Sequence, residues 1–464
     1  MTIALRDVLE GTQGTLRGAA GRDLRFSRVW HDSREVERGD LFVAVVGERL
    51  DGHAFVEQAF ARGAAGALVD RAHAEALGDA GGPLIVVGDT GEALLKLAAS
   101  WRARHDVRVV GITGSIGKSS TKEAVWGVAS QRFRTLRSQR SFNNEIGLPL
   151  SLLAITPETE VVVLELGGAY AFGEIERLAA IARPQIGVVT NVSHSHLSRM
   201  GSLEAIATTK AELPAALPSD GTAVLNGDDA RVRGMAGVCR GRVILYGLSP
   251  DCEVRAEHVE SHGLSGISLD LLVAQQRYHL HVPLLGQHSA HTVMAAIGVG
   301  LALGMTVEEM LPGLHEPDVQ LRLVTVPAVG GAILIDDTYN ANPTSSLAAL
   351  NLLSEISNRR RIAVFGDMLE LGSFEEEGHR MVGRRAAAVV DRLYTMGERA
   401  RIIAEEAMAY GLPAARVRTV GSKRDLVDVL RDDLCEGDYV LVKGSRGVRM
   451  EDVVAELRDR SRPE

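Results

Sequence analysis

The sequence predicts an α/β protein of three domains: a small α/β domain at the N-terminus, a central domain whose parallel sheet surrounds a phosphate-binding loop, and a Rossmann-like α/β domain at the C-terminus. Three observations carry this prediction. The chain has 464 residues, which suggests three domains at roughly 150 residues each. From residue 107 onward, short apolar runs alternate with helical patterns, as a parallel sheet requires. Polar motifs sit just past the carboxyl ends of the strands so predicted, at Glu165, Asn191, Asn226, Asp336-Asp337, Asp367 and Lys443-Gly-Ser-Arg. That edge is where open α/β sheets bind ligands.

Residues 1–103 mix β-like runs (Leu41–Val46, Ala67–Val69, Leu84–Val87) with helical patterns at Ala54–Gly63 and Glu92–Arg104. Residues 104–317 form the central domain. Its strands are expected at Val107–Ile112, Val161–Leu166, Ile186–Thr190, Ala223–Leu225 and Val243–Tyr246, each a short apolar run of the kind buried on both faces. Residues 251–285 alternate polar and apolar side chains and predict an antiparallel addition, followed by a helix at His291–Leu303. Pro312 and Pro317 mark a boundary, and residues 318–464 begin a second α/β series with strands near Ala332–Ile335, Ile362–Phe365, Leu393–Met396 and Tyr439–Val442.

Composition narrows the function. A hydrophobic fraction of 45% with 24% charged residues is ordinary globular composition, and a net charge of −9 argues against a nucleic-acid or anionic-membrane binder. Cys239, Cys252 and Cys435 have no metal-ligand spacing and are expected as small buried hydrophobes in a reducing compartment. Charges at Arg6, Asp7 and Glu10 do not fit a signal peptide, and no apolar run approaches the ~20 residues of a membrane helix. The expectation is a cytoplasmic protein with no membrane insertion, working as a monomer. Lysine occurs only at positions 96, 118, 122, 210, 423 and 443, although Lys and Arg together number 51. Where arginine serves elsewhere, a retained lysine marks chemistry that a guanidinium cannot do.

The strand Val107–Ile112 runs into Gly111-Ile-Thr-Gly-Ser-Ile-Gly-Lys-Ser119 and then a helical pattern at Lys122–Ala129. Strand, glycine loop and helix is the context of a polyphosphate site. Backbone amides and the helix N-terminus surround the phosphates, Lys118 neutralises the β- and γ-phosphates, and the Ser119 hydroxyl ligates Mg²⁺. The strict Walker spacing would place glycine at position 112, which is Ile, so Gly111 and Gly114 make this loop a variant. Alone, the loop fits an NTPase, a kinase or a ligase.

Three further residues surround it. Glu165 ends a strand, and its carboxylate suits Mg²⁺. His196 follows another strand; its chemistry allows either a metal ligand or a hydrogen-bonding residue. His194 reads as surface or structural. Lys210 lies on a predicted helix after Gly201, where only the scarcity of lysine argues against a solvated side chain.

These residues resemble the Mur ligase family in order and spacing: the loop, the Glu165 strand end, Thr190-Asn-Val…His196-Leu and Lys210. The resemblance covers about residues 25–455. It implies that Gly114, Ser115, Gly117, Lys118, Ser119 and Ser120 hold the ATP phosphates. It also implies that Lys210 is carbamylated and holds a second Mg²⁺ with Glu165 and His196. Three stretches are similar to the branch of the family that joins D-Ala-D-Ala to UDP-N-acetylmuramoyl-tripeptide. Asp32-Ser33-Arg34 with Gly39-Asp-Leu-Phe-Val-Ala and Asp51-Gly-His53 resembles its uridine-nucleotide holder. Phe142-Asn143-Asn144-Glu-Ile-Gly-Leu-Pro-Leu resembles the substrate-facing segment. Asp336-Asp-Thr-Tyr339-Asn340-Ala-Asn342-Pro-Thr-Ser resembles the opening of the C-terminal domain, which receives the dipeptide. By the same resemblance His288, Arg322, Asp336 and Tyr339 help hold the nucleotide, and the reaction passes through an acyl phosphate. Without the resemblance, Asp336-Asp337 reads equally as a helix cap, Asn340-Ala-Asn-Pro as a turn, Lys443-Gly-Ser-Arg as a surface loop and Tyr339 as core. The alternatives it leaves are a family member that adds a single amino acid, or a P-loop kinase or regulatory ATPase.

Overall fold

The computed structural model describes residues 2–459 except 22, 48–49, 79, 169–170, 196 and 317–322. Three α/β units follow one another along the chain.

The first is built on a five-stranded sheet in the order Thr15–Arg17, Leu84–Val87, Gly66–Asp70, Leu41–Val43, Val29–Trp30, parallel except at its first pair. The helix Thr90–Ala103 closes this unit. Asp89 caps it by accepting the Glu92 N–H at 2.8 Å. Its apolar face joins Leu148, Leu164 and Leu178 in one core cluster, and the Trp101 indole donates to the Ile155 carbonyl at 3.1 Å. The helix thus belongs by packing to both the first and second units.

The second unit is a nine-stranded sheet. Its parallel part runs Arg242–Gly247, Thr222–Asn226, Ile186–Val189, Arg108–Thr113, Val161–Glu165, Thr135–Arg137. Val110, Ile112, Val163, Val188 and Val224 are fully buried between two helix layers, which is why these strands read as unbroken apolar runs. The expected antiparallel addition is present as Val254–Ser261, Ile267–Val273 and Gln276–Val282. In the outermost strand Arg277, His279 and His281 face solvent while Leu280 and Val282 face the core. Asp270 on the neighbouring strand accepts from Arg277 at 2.7 Å and from His258 at 2.9 Å.

The third unit has six strands in the order Val324–Pro327, Ile333–Asp337, Tyr439–Lys443, Arg361–Gly366, Arg392–Met396, Val417–Val420, all parallel except the first. The sequence places most of these elements within one or two residues. Thr135–Arg137, Val324–Pro327 and Val417–Val420 escape it, being short, partly exposed strands at sheet edges. The helix expected at Ala54–Gly63 is a 3₁₀ turn, Gly52–Phe55, followed by a helix, Val56–Ala61. Of the cysteines only Cys252 is buried; Cys435 is exposed, because it lies in the turn after the helix Lys423–Asp433. Among the described residues no helix is long and apolar enough to cross a membrane.

The second and third units also touch directly. His194 stacks on Phe374 with centroids 4.0 Å apart and planes at 16°. The Ser198 N–H donates to the Glu370 carbonyl at 3.3 Å, and Arg199 pairs with the Glu370 side chain at 3.4 Å.

Candidate active site

A cleft of about 890 Å³ lies at the carboxyl edge of the central sheet, with the third unit as its far wall. The phosphate loop forms its floor. The strand Arg108–Thr113 ends at the loop, and the helix Lys118–Ser130 starts from it. Gly114 has φ +142°, and a Cβ there would lie 1.9 Å from Thr190 Oγ1. Gly117, at φ +81°, caps the helix. These two positions demand glycine. The loop is also pinned from the neighbouring strand end. Thr190 Oγ1 donates to the Ile116 carbonyl at 2.7 Å, the Ile116 N–H donates to Asn191 Oδ1 at 3.0 Å, and the Ser193 N–H donates to Ser115 Oγ at 3.0 Å. Lys118 Nζ lies on the loop itself, 2.7 Å from the Gly114 carbonyl.

Beside the loop stands Glu165, 1% exposed at the end of its strand. Its Oε2 lies 3.5 Å from Asn143 Nδ2. Its Oε1 receives no hydrogen bond, although Lys122 Nζ is at ion-pair distance, 3.5 Å. A buried carboxylate whose Oε2 has only a long contact to Asn143 among the described residues, with the Ser119 hydroxyl lining the same cleft, is a donor set that fits a hard divalent cation. Lys210, 3% exposed, lines the cleft from the helix Leu203–Ala216 and donates to the Gly168 carbonyl at 2.5 Å. Burial, with the charge of Lys118 second, pushes its amine down to about 7.

The far wall comes from the strand ends of the third unit. Lys443, 1% exposed, donates to Asp337 Oδ2 at 2.5 Å and to the Asn340 carbonyl at 2.8 Å. Ser445 Oγ donates to the Ala341 carbonyl at 3.2 Å and accepts the Leu369 N–H at 2.8 Å. The turn at 338–342 is thereby fixed with Tyr339 in the cleft and the Arg446 guanidinium 5.0 Å over its ring. His288, at the start of the helix Ser289–Ala302, closes the cleft from the central unit.

Comparison with known proteins agrees with this arrangement. Family models match in chain order: the Mur ligase family catalytic domain at residues 25–102, the Mur ligase middle domain at 112–300, and the Mur ligase glutamate ligase domain at 321–446. The UDP-N-acetylmuramoyl-tripeptide–D-alanyl-D-alanine ligase of Bacillus subtilis is 34% identical over 463 residues, covering 98% of both chains. The chain belongs to the Mur ligase family. The enzyme of the same name from Escherichia coli is also 34% identical, covering 99% of both chains. Among solved structures, MurF from Acinetobacter baumannii superposes with a TM-score of 0.85 at 29% identity, covering 98% of this chain and 99% of its own. MurF ligase from Thermotoga maritima in complex with ADP superposes with a TM-score of 0.76 at 26% identity, covering 92% of this chain and 96% of its own.

In this Mur ligase the cleft gathers Ser115, Gly117, Lys118, Ser119, Ser120, Glu165 and Lys210 with Asn143, Asn144, His288, Tyr339, Asn340 and Asn342. Gly114 is in the loop but does not line the cleft. Several side chains at the cleft are already engaged. Asn342 caps the helix Pro343–Glu355 by accepting the Ser345 N–H at 2.9 Å, and Asn144 Oδ1 accepts the Gly147 N–H at 2.9 Å. Asp336 is not in the cleft wall; it turns to the Thr338 hydroxyl at 2.6 Å, and its neighbour Asp337 faces the cleft instead, as alternation along a strand requires. His196 and Arg322 lie outside the described residues.

The residues of the first unit stand apart from the cleft. Asp32 binds Arg34 at 2.6 and 2.9 Å, and the Arg34 guanidinium holds its carboxyl down to about 2. Ser33 Oγ donates to Gln58 Oε1 at 3.0 Å. Arg140 bridges to Glu35 at 3.0 Å and Trp30 meets Phe142 at 5.8 Å, so the 30–35 segment abuts the segment carrying Asn143. Asp51 takes the His53 Nδ1–H at 2.6 Å, while His53 Nε2 accepts the Asp70 N–H at 3.0 Å. His53 stacks on His73 at 4.0 Å with planes 12° apart. The donor atoms of Asp51, His53 and His73 are close enough for a metal, but one ion cannot lie in both planes of a parallel ring pair. The group is a clamp that fixes the Asp51 turn. Sequence reasoning gave no role to Lys122, chose Asp336 over Asp337 from the pair it had marked at the strand end, and missed the Phe374 contact. The scarcity of lysine pointed to the first; nothing local marked the last.

Proposed function

We propose that this Mur ligase joins D-Ala-D-Ala to UDP-N-acetylmuramoyl-tripeptide at the expense of ATP, forming UDP-N-acetylmuramoyl-pentapeptide, ADP and phosphate for peptidoglycan synthesis. The observation that carries it is the cleft itself, in which the phosphate loop, Glu165 and Lys210 face Tyr339 and Lys443 of the third unit. A ligase of two substrates and ATP needs such a meeting of walls; a simple NTPase does not. Similarity over the full length to enzymes that carry this name favours it over addition of a single amino acid.

In this reading, residues 1–103 hold the uridine nucleotide through Asp32, Ser33, Arg34, Asp51 and His53. Residues 104–317 bind ATP, and residues 318–464 receive the dipeptide. An oxygen of the tripeptide carboxylate attacks the γ-phosphorus, and ADP departs. Lys118 offsets charge on the transferring phosphoryl group, and the loop amides orient it. The dipeptide amine then attacks the acyl carbon, loses a proton, and inorganic phosphate leaves. Ser119 and Glu165 would hold Mg²⁺, and Lys210 would help hold a second ion with Glu165 and His196. Such ions would supply charge stabilisation to the phosphates. Lys210 serves as a carbamate: only an uncharged amine adds CO₂, and an amine lowered to about 7 is roughly half uncharged near neutral pH, where an ordinary lysine is almost fully protonated. Its burial in this position favours that reading. Tyr339, His288 and Arg322 are assigned to hold the nucleotide. In this reading the protein works in the cytoplasm as a monomer, one chain being enough to build the described cleft.

Phosphate release tests the proposal. It should require ATP, UDP-N-acetylmuramoyl-tripeptide and D-Ala-D-Ala together; release with ATP alone, or with any single amino acid in place of the dipeptide, would overturn it.

A further inference from the structure

Lys122 is among the most enclosed charges of the described residues, and the proposed reaction gives it no work. It lies one turn beyond Lys118 on the loop helix and is 0% exposed. A helical side chain leans back toward the N-terminus, so its ammonium is directed toward the end of the helix at which the phosphate loop enters. Four oxygens surround it: the Ser138 carbonyl at 2.9 Å, the Arg140 carbonyl at 2.7 Å, Glu123 Oε1 at 3.0 Å and Glu165 Oε1 at 3.5 Å. Glu123 is also bonded to Arg137, which packs over Trp126. Glu165 is therefore held asymmetrically. Its Oε1 faces a fixed ammonium, while its Oε2 faces Asn143 at the cleft.

Resting on the assignment of Glu165 as a cation ligand, we propose that Lys122 is a positioning residue that sets cation selectivity, by reserving Oε1 so that Glu165 can ligate through Oε2 alone. A divalent ion on Oε1 would meet the Lys122 charge at close range. Mg²⁺ loses little by this, because it takes single carboxylate oxygens in a small octahedral shell. Ca²⁺ loses more, because its larger shell draws on bidentate carboxylates. Charge alone would repel both ions equally, so the ratio of their affinities, and not either affinity, isolates the geometric effect.

The test uses the full chain with ADP. Bound Mn²⁺ is followed by electron paramagnetic resonance and displaced by Mg²⁺ or Ca²⁺ in separate titrations. In Lys122→Met the Ca²⁺ concentration needed for displacement should fall several-fold relative to that of Mg²⁺. Lys122→Arg, which keeps the charge, should stay near the wild-type ratio. Should Lys122→Met fold poorly with two carboxylates left around an apolar side chain, Lys122→Met/Glu123→Gln removes the surplus charge and must show the same change in ratio. An unchanged ratio in the folded variant overturns the proposal while leaving Glu165 as a ligand. Glu165→Ala retaining Mn²⁺ at wild-type affinity overturns both.

Discussion

At the scale of single residues, the cleft depends on a few side chains whose surroundings are specific. Lys118→Ala should lower kcat by at least on the order of 10²–10³-fold, the loss seen when one preorganised charge-stabilising donor is removed. Its thermal unfolding should match wild type, and near-normal turnover would refute the mechanism. On the proposed carbamate reading, Lys210→Ala should be equally inactive, because Lys118, the other central-unit amine among the residues lining the cleft, is assigned to the phosphates. A short carboxylic acid such as acetate, supplied in solution, should restore part of the activity by replacing the lost carboxylate; complete indifference to acids would argue that Lys210 acts as a cation. Gly114→Ala should abolish nucleotide binding, since the added Cβ would meet Thr190 Oγ1 at 1.9 Å and that hydroxyl is committed to the Ile116 carbonyl. Calorimetric titration with ADP reads this directly.

At the scale of elements, the turn from Asp337 to Asn342 shows how the third unit builds its wall. Asn342 and Ser345 form a reciprocal cap on the helix Pro343–Glu355. Asn342→Ala should cost about 1 kcal/mol, the ordinary worth of an N-cap. Thermal denaturation should register this as a lowered midpoint, and no shift would mean that the turn is held by Lys443 and Ser445 alone. The same turn marks the limit of what the sequence discloses. Its strand was legible because Leu334 and Ile335 form an apolar run buried on both faces. Which carboxylate of Asp336-Asp337 faces the cleft was not, because a one-residue shift in where a strand ends reverses every side chain. Edge strands such as Val417–Val420 were invisible for a related reason: paired on one side only and half exposed, they need no apolar run. The phosphate loop, by contrast, was legible to the residue, since Gly114 and Gly117 answer to local backbone demands. The scarcity of lysine drew notice to Lys122 but could not say what it does. Its oxygen partners Ser138, Arg140 and Glu165 lie 16 to 43 positions away and meet it only in the folded sheet.

At the scale of the whole molecule, catalysis requires the second and third units to stay together across the cleft. The His194–Phe374 stack and the Glu370 contacts hold them at one end. Burial keeps the His194 ring below the ordinary imidazole range, so it stacks as a neutral ring. An aromatic pair of this kind is worth about 0.5–1.5 kcal/mol, or roughly two- to tenfold in the population of the joined arrangement. Phe374→Ala should therefore lower kcat/KM for D-Ala-D-Ala by that factor while leaving ADP affinity unchanged. A loss of ADP affinity of equal size would show that the stack supports the loop instead.

The outermost strand of the central sheet, Gln276–Val282, bears on how the protein survives at high concentration. It leaves a row of backbone donors and acceptors with no neighbour among the described strands, the kind of ragged border to which another chain can add itself. Arg277, His279 and His281 stud that border, and Asp270 gathers Arg277 and His258 beside it. An incoming strand would have to strip water from those polar and charged side chains before it could pair. The cluster thus works as a guard against fibrous self-association, and it places polar side chains on the solvent side at every second position of a strand whose other face is core.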